Sequence, residues 1–452
     1  MMVKGGFTMA KNKQEKPYGV TSGGEKLAYA LGDLGSNFVW TFCSSWLTLY
    51  YTDSVLLAAG MVGTMMLILR LFDGVSDILF GIMIEKTHTK MGKARPWFGA
   101  SIIPLVVTQL LVYNVPSQAS LGAKTVWVIV TYFLLTVVFY TINNLSYHAM
   151  LSRFSLDPDD RSKVSSVRGI FAFLAGLLLS IMTPAILNGN GGSKVQAAWT
   201  KTALILQAIT FFTVKEKRNV GEDNTTEMPH GDIKVGLKAL LHTKYFYISI
   251  IVFVCTYILN GLVLAAHVYF TRDVLGNADF YSIVAIVSVV STIIGIAIAP
   301  KMFVKLTKRR TLMFGSVIYI IGCVVGLLGA RNLPLVLLAT AITGLGLAPY
   351  VTGIFTFAPD IVDLLEVQTG ERFEGMVTAV NSVGVKVGTG LASAFLGWGL
   401  AIGQYNGALD VQPASVATAE TALLYGLPIL MCIICIVAMA FWDIQKVLHQ
   451  EH

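Results

Sequence analysis

Charge is scarce in this 452-residue sequence: Asp, Glu, Lys and Arg make up 13% of it, about half the ~25% usual in a soluble domain. With 55% of residues apolar and a mean hydropathy of +0.68, a soluble globular domain is excluded and an all-α, multi-pass membrane protein is expected. Cysteine is also sparse. Cys43, Cys255, Cys323, Cys432 and Cys435 all fall inside apolar stretches, which excludes a disulfide framework and any spaced zinc motif. They read as small packing residues. No Walker loop appears, so direct ATP coupling is not expected. Neither a nucleophile-and-base constellation nor a polar stretch long enough for an output domain is present, which argues against an intramembrane enzyme and a membrane sensor. The basic N-terminus lacks a small-residue cleavage site, so the first apolar stretch is expected to stay in the mature protein.

What is present is a series of apolar stretches of membrane-spanning length. Twelve are expected, near 28–51, 57–84, 96–114, 124–150, 166–187, 197–214, 245–270, 280–303, 311–330, 334–358, 376–402 and 421–443. The net charge of +7 does not mark a nucleic-acid partner, because the basic residues concentrate in alternate loops. Lys86, Lys90, Lys93 and Arg95 form one such cluster and Lys305, Lys308, Arg309 and Arg310 another. The positive-inside rule then places both termini in the cytoplasm and the chain in the cell membrane. The sixth stretch is short and begins with Lys201, which must snorkel to the surface if it spans.

The polar stretch 215–244 separates six spans from six. The organisation expected is a tail at 1–27, a first six-helix half at 28–214, a cytoplasmic linker at 215–244, a second half at 245–443 and a short tail at 444–452. Two such halves are the layout of major-facilitator transporters, whose substrates bind near the midplane between them.

Within the second stretch stand three charges, Arg70, Asp73 and Asp77. Each costs at least about 2.5–3.5 kcal/mol at a bilayer centre. Offsets of three and seven put them on one helical face, which must look into the protein and not into lipid. Two carboxylates in a low-dielectric site repel, and a bound Na⁺ or a shared proton relieves that repulsion. The plainer alternative is that Arg70 permanently neutralises one of them. Lys386 is a further charge deep in its span, and it needs an anionic or carbonyl partner. Asp73, Asp77 or a substrate oxygen would serve.

Several separated motifs carry a family resemblance. In the first half these are Gly32-Asp33, Tyr50-Tyr51-Thr52-Asp53, Arg70-Leu-Phe-Asp73-Gly-Val-Ser-Asp77 and Gly92-Lys93-Ala-Arg95-Pro96-Trp97. In the second they are Pro359-Asp360-Ile-Val-Asp363-Leu-Leu-Glu366, Thr369-Gly370-Glu-Arg372-Phe-Glu374-Gly375, and Lys386. From about Leu27 to the last span the chain resembles the glycoside–pentoside–hexuronide cation symporters, which include melibiose, glucuronide and xyloside carriers.

That resemblance implies H⁺- or Na⁺-coupled symport of a glycoside, glucuronide or pentoside by alternating access, with no cofactor and no metal beyond a coupling Na⁺. Asp73 and Asp77 would hold the cation, assisted by Ser76 and Thr141. Ser76 is a weaker sodium ligand than the Asn or Asp of clear sodium users, so the ion stays open. Substrate would meet Ser36, Asn37, Asn144, His148, Arg168, Ser382 and Lys386. Ser36, Asn37 and Asn144 depart from the melibiose carrier, which has Lys and acidic residues there, and His148 stands where that carrier is aromatic. Amides bond hydroxyls as donor and acceptor. Arg168 aligns only with a one-residue gap nearby. His267 has no motif behind it and is expected to be a packing residue. Arg70 would stand in when the cation leaves, and the loop residues Lys93, Arg95, Asp360, Asp363, Glu366, Arg372 and Glu374 would pair the halves shut on the cytoplasmic side. Distant relatives carry lysolipids with sodium, the alternative cargo. The protein is expected to work as a monomer in the bilayer.

Overall fold

The computed structural model describes residues 21–89, 93–154, 158–213, 233–370 and 373–444. Every regular element among them is helical: α1 (Gly23–Leu49), α2 (Ala59–Glu85), α3 (Arg95–Val112), α4 (Leu121–Tyr132), α5 (Thr141–Phe154), α6 (Pro158–Asn188), α7 (Gln196–Thr213), α8 (Ile233–His242), α9 (Lys244–Asp273), α10 (Phe280–Leu328), α11 (Leu333–Gly353), α12 (Phe357–Thr369), α13 (Glu374–Ile402), α14 (Ala414–Thr421) and α15 (Leu427–Ala440). Wider helical turns join α4 to α5 and α14 to α15. Helix is what an apolar solvent requires, since each backbone N–H and C=O must be paired within the segment.

All twelve expected stretches are helical, and eight helices among the described residues are long and apolar enough to cross a membrane. The break expected at the basic cluster 305–310 is a kink inside α10: Thr307 is non-helical, with φ 74°, and helix continues on either side of it. Two boundaries differ from expectation. Asp360, Asp363 and Glu366 are helical, on α12, because Pro359 falls in the first turn, where a missing N–H costs no bond. The short sixth stretch begins earlier, at Gln196, and Lys201 reaches Asn190 Oδ1 at 2.8 Å, the snorkelling its position demanded.

Local chemistry sets the ends. At the start of α1, Ser22 Oγ accepts from the Glu25 N–H while the Glu25 carboxylate accepts from the Ser22 N–H at 2.7 Å, a capping box that satisfies two donors of the first turn. On α2 the apolar residues Leu71, Phe72, Val75 and Leu79 are 47–62% exposed, whereas Arg70 and Asp73 are 3% and 2% exposed. The charged stripe therefore faces inward and the apolar face looks out, as lipid would require.

Helices α1–α7 meet α9–α15 mainly through α2 against α13. The two run antiparallel, with Gly60 beside Ala401, Gly63 beside Gly397, Gly390 beside Arg70 and Gly74 beside Lys386. A Cβ on Gly397 would sit 2.5 Å from the Ala59 carbonyl oxygen and 2.7 Å from Gly63 Cα. Only glycine at both positions permits so close a backbone approach, the small-residue contact typical of membrane helices.

A second set of contacts closes the end of the bundle where α1 and α9 finish. Arg272 Nη1 donates to Asp53 Oδ2 and Tyr405 Oη to Asp53 Oδ1, both at 2.5 Å. The Thr52 and Tyr269 hydroxyls lie 3.0 Å apart, and Lys194 Nζ is 2.6 Å from Asp410 Oδ1. Each contact joins a residue of α1–α7, or the segments linking them, to one of α9–α15 or theirs.

Candidate coupling-ion and substrate site

Four of the residues picked out from sequence come together where α2, α5 and α13 pass. Lys386 Nζ, from α13, lies 2.8 Å from Asp73 Oδ1 and 2.7 Å from Asp77 Oδ2, and donates to the Asp73 backbone oxygen at 2.9 Å. An ammonium has three N–H bonds, and here it meets three oxygens. Thr141 Oγ1, from α5, donates to Asp73 Oδ1 at 2.6 Å. The ammonium thus sits among oxygens as a small monovalent cation would. Burial is costly for each ion, but paired and fully hydrogen-bonded charges recover that cost, whereas removal of one partner leaves an uncompensated charge.

Arg70 is not the close partner of the carboxylates. Its Nη1 is 3.7 Å from Asp73 Oδ2, while its Cζ lies 3.9 Å above the Trp40 ring, a cation–π contact. Its Nε and Nη1 have no hydrogen-bond acceptor among the described residues. Trp40 in turn stacks on Tyr140 at 5.0 Å between ring centres. Ser76 turns its hydroxyl back to the Asp73 carbonyl at 2.9 Å, an intrahelical bond.

A second cluster lies nearer the start of α1. Asn37 Nδ2 donates to Asp33 Oδ2 at 3.0 Å and to the Asp33 carbonyl at 2.8 Å. Arg168 Nε is 3.9 Å from Asp33 Oδ2 and its Nη1 is 2.8 Å from His148 Nδ1. A guanidinium only donates, so that imidazole nitrogen is the acceptor. Asp33, Asn37, His148 and Arg168 therefore form one polar group spanning α1, α5 and α6.

Between α1 and α6 on one side and α9, α10 and α11 on the other is a cavity of about 270 Å³. Asn37, Trp40 and Thr41 of α1 face Asn260 and His267 of α9 across it. Trp40 is thus shared: one neighbour is the cavity, the other is Arg70 beside Asp73. The volume is just below the ~300–1,000 Å³ typical of small-molecule sites.

Not every predicted residue reaches these places. Ser36 is 2% exposed and donates to Asn143 Oδ1 at 3.3 Å, the interhelical bonding that polar membrane residues commonly make. Asn144 is half-buried on α5 and is not among the residues lining the cavity. Asp360 is bound by Lys308 Nζ at 2.7 Å, and both belong to α9–α15, so this pair does not bridge the two helix sets as a gate would. Lys93 and Arg95 lead into α3, and Asp363 and Glu366 follow Asp360 along α12. Arg372 lies outside the described residues, as do the side chains of Glu374 and Ser382, whose backbones belong to α13. His267 differs from its expected packing role in that it lines the cavity.

The family model described as MFS/sugar transport protein matches residues 28–446. The chain belongs to that family. The isoprimeverose transporter of Lactiplantibacillus pentosus is 29% identical over 431 residues, covering 94% of this chain and 89% of the relative. The glucuronide carrier protein homolog of Escherichia coli is 26% identical over 384 residues, covering 84% and 83%. Among solved structures, a D-xylose-proton symporter superposes with a TM-score of 0.64 at 12% identity, covering 93% and 97%, a likeness of fold alone. The protein is a sugar-transport member of the major facilitator superfamily with that superfamily's helical architecture, a transporter working by symport and not an enzyme.

For this member of the family, the sequence reading assigns no site role to Asp33, which it names only within a motif, to Asn260, to His267, which it takes for packing, or to the Asp53–Arg272–Tyr405 contact. A signal existed for each. Asp33 is a charge five residues into the first expected span, Asn260 and His267 are spaced by seven on one helical face, and Arg272 is a basic residue that the expected topology puts on the side where few belong.

Proposed function

We propose that the protein imports a glycoside across the cell membrane together with one monovalent cation, H⁺ or Na⁺, by alternating access. On this reading residues 28–214 and 245–443 are two halves, both termini are cytoplasmic, and a single copy carries out transport. The observation that carries it is the position of Lys386: an ammonium from one half occupies the oxygen cage of Asp73 and Asp77 on the other.

A coupling ion entering that cage displaces Lys386, and the contact between halves is lost at the same moment. Binding at the cage thereby biases the arrangement of the halves, which is what couples the ion to the cargo. Trp40, lying between Arg70 and the cavity, is the physical link to the substrate. Helix α1 supplies Asn37 to the sugar, with Asp33 and Arg168 holding its amide in place. On the same reading the Asp53–Arg272–Tyr405 contact lies on the outer side and holds that side shut. A potential of about 100 mV acting on one charge supplies about 2.3 kcal/mol, enough for roughly fifty-fold accumulation.

The test is uptake of labelled glycosides by proteoliposomes under an imposed sodium gradient and, separately, an imposed pH gradient. The proposal requires one gradient to drive accumulation of at least one glycoside. If neither gradient drives any of them, the protein is not a glycoside symporter.

A further inference from the structure

His267 has a half-used ring. Its Nδ1 is 2.6 Å from the Val263 carbonyl oxygen, and a carbonyl accepts only, so Nδ1 carries the hydrogen. In the neutral imidazole Nε2 is then a bare acceptor. That nitrogen has no partner among the described residues, although His267 is only 5% exposed and lines the cavity. Buried acceptors left unmet are uncommon in native proteins and call for a reason. Packing alone would be served by phenylalanine, which has no such atom.

The surroundings narrow the missing partner to an uncharged donor. None of the described residues lining the cavity is Asp, Glu, Lys or Arg; its polar lining is Asn37, Thr41, Ser180, Asn260, Ser288 and Thr292 together with His267. Two guanidiniums stand behind the lining and neither belongs to it: Arg168 is engaged by Asp33 and His148, and Arg70 lies on the ring of Trp40. A carboxylate placed in such a chamber loses its water and gains no counter-ion, whereas hydroxyls find both donors and acceptors. Trp40 and Tyr281 supply flat apolar walls for a sugar's C–H face.

We infer that the chamber selects an uncharged glycoside over a hexuronide, and that His267 Nε2 accepts a hydrogen bond from one of its hydroxyls. This rests on the glycoside reading above and narrows it: of the two relatives described, one is named for the neutral disaccharide and the other for the anionic sugar. His267 is accordingly a specificity-determining residue on α9, opposite Asn37.

The experiment uses the full chain in proteoliposomes with three probes that share an aglycone: p-nitrophenyl β-xyloside, β-glucoside and β-glucuronide. Wild type is expected to take up a neutral probe with at least about tenfold higher Vmax/KM than the glucuronide. His267→Phe keeps the ring shape without the acceptor, and should raise KM for the neutral probe about tenfold with Vmax within twofold. His267→Gln returns an acceptor near Nε2 and should recover much of that loss. Size-exclusion profiles and melting curves in detergent verify that both variants fold. If the glucuronide is carried as well as the neutral probes, or KM is indifferent to Phe, or Gln is as poor as Phe, the inference is overturned while glycoside transport stands. If none of the three is carried, the glycoside reading and this inference fail together.

Discussion

Replacing Lys386 with Gln removes the ammonium from the cage and leaves Asp73 and Asp77 facing each other. The Lys386 Nζ distances of 2.8 and 2.7 Å correspond, at an effective dielectric constant of about 20, to about 6 kcal/mol of attraction for each carboxylate. Desolvation offsets most of this. The loss on removing one partner of such a buried pair is about 3–5 kcal/mol. An incoming coupling ion must overcome that competition in the wild type and meets none in Lys386→Gln. Even a differential of about 1.4 kcal/mol is a tenfold change in affinity. Half-maximal activation of glycoside counterflow is therefore expected at a tenfold or more lower concentration of the coupling ion, read as a lower sodium requirement or a higher permissive pH. Uphill accumulation falls at the same time, because ion entry no longer releases a bond between the halves. An unchanged or higher ion requirement in a folded Lys386→Gln protein would refute the competition.

Two further outcomes follow from contacts at the interface. Arg272→Ala removes the charged partner of Asp53 and leaves that carboxylate only the Tyr405 and Thr52 hydroxyls, of which Tyr405 alone spans the contact, so the outward-open state gains population. A cysteine at Thr41, on the cavity wall, should then react with a membrane-impermeant maleimide added outside at least about fivefold faster than in the Arg272 background; equal rates would show that this contact does not hold the outer side shut. Gly397→Val places a branched side chain where the Ala59 carbonyl oxygen stands 2.5 Å from an ideal Cβ. Overpacking of this kind costs about 1–3 kcal/mol, and the melting temperature in detergent should fall by several degrees, a fall that an equivalent change at the open position Gly81 should not produce.

How much of this was legible in the sequence depended on the range of the interaction. The inward stripe Arg70, Asp73 and Asp77 follows from helical periodicity and the cost of charge in lipid, and the requirement that Lys386 have an anionic partner follows from the same cost. Choosing Lys386 over Arg70 as the close partner did not follow, since it depends on the antiparallel register of α2 and α13, set by Gly63 and Gly397 meeting across the interface. Ser36 and Asn37 are adjacent in sequence but point to different neighbours, Asn143 and the cavity, and only the packing of α5 against α1 separates them. His267 looked like a packing residue because nothing local distinguishes a histidine aimed at a neighbouring helix from one aimed at a chamber. Asp360 was read as a cross-half partner, yet Lys308, brought close by the bend at Thr307, takes it up within its own half.

Coupling requires that the ion bind at Asp73 and Asp77. That requirement is tested most directly by comparing accumulation with equilibration in proteoliposomes for Asp73→Asn and Asp77→Asn. Each variant is predicted to lose accumulation of glycoside against its gradient, with the internal concentration no longer exceeding the external one. Full, gradient-driven accumulation by both variants would contradict that requirement.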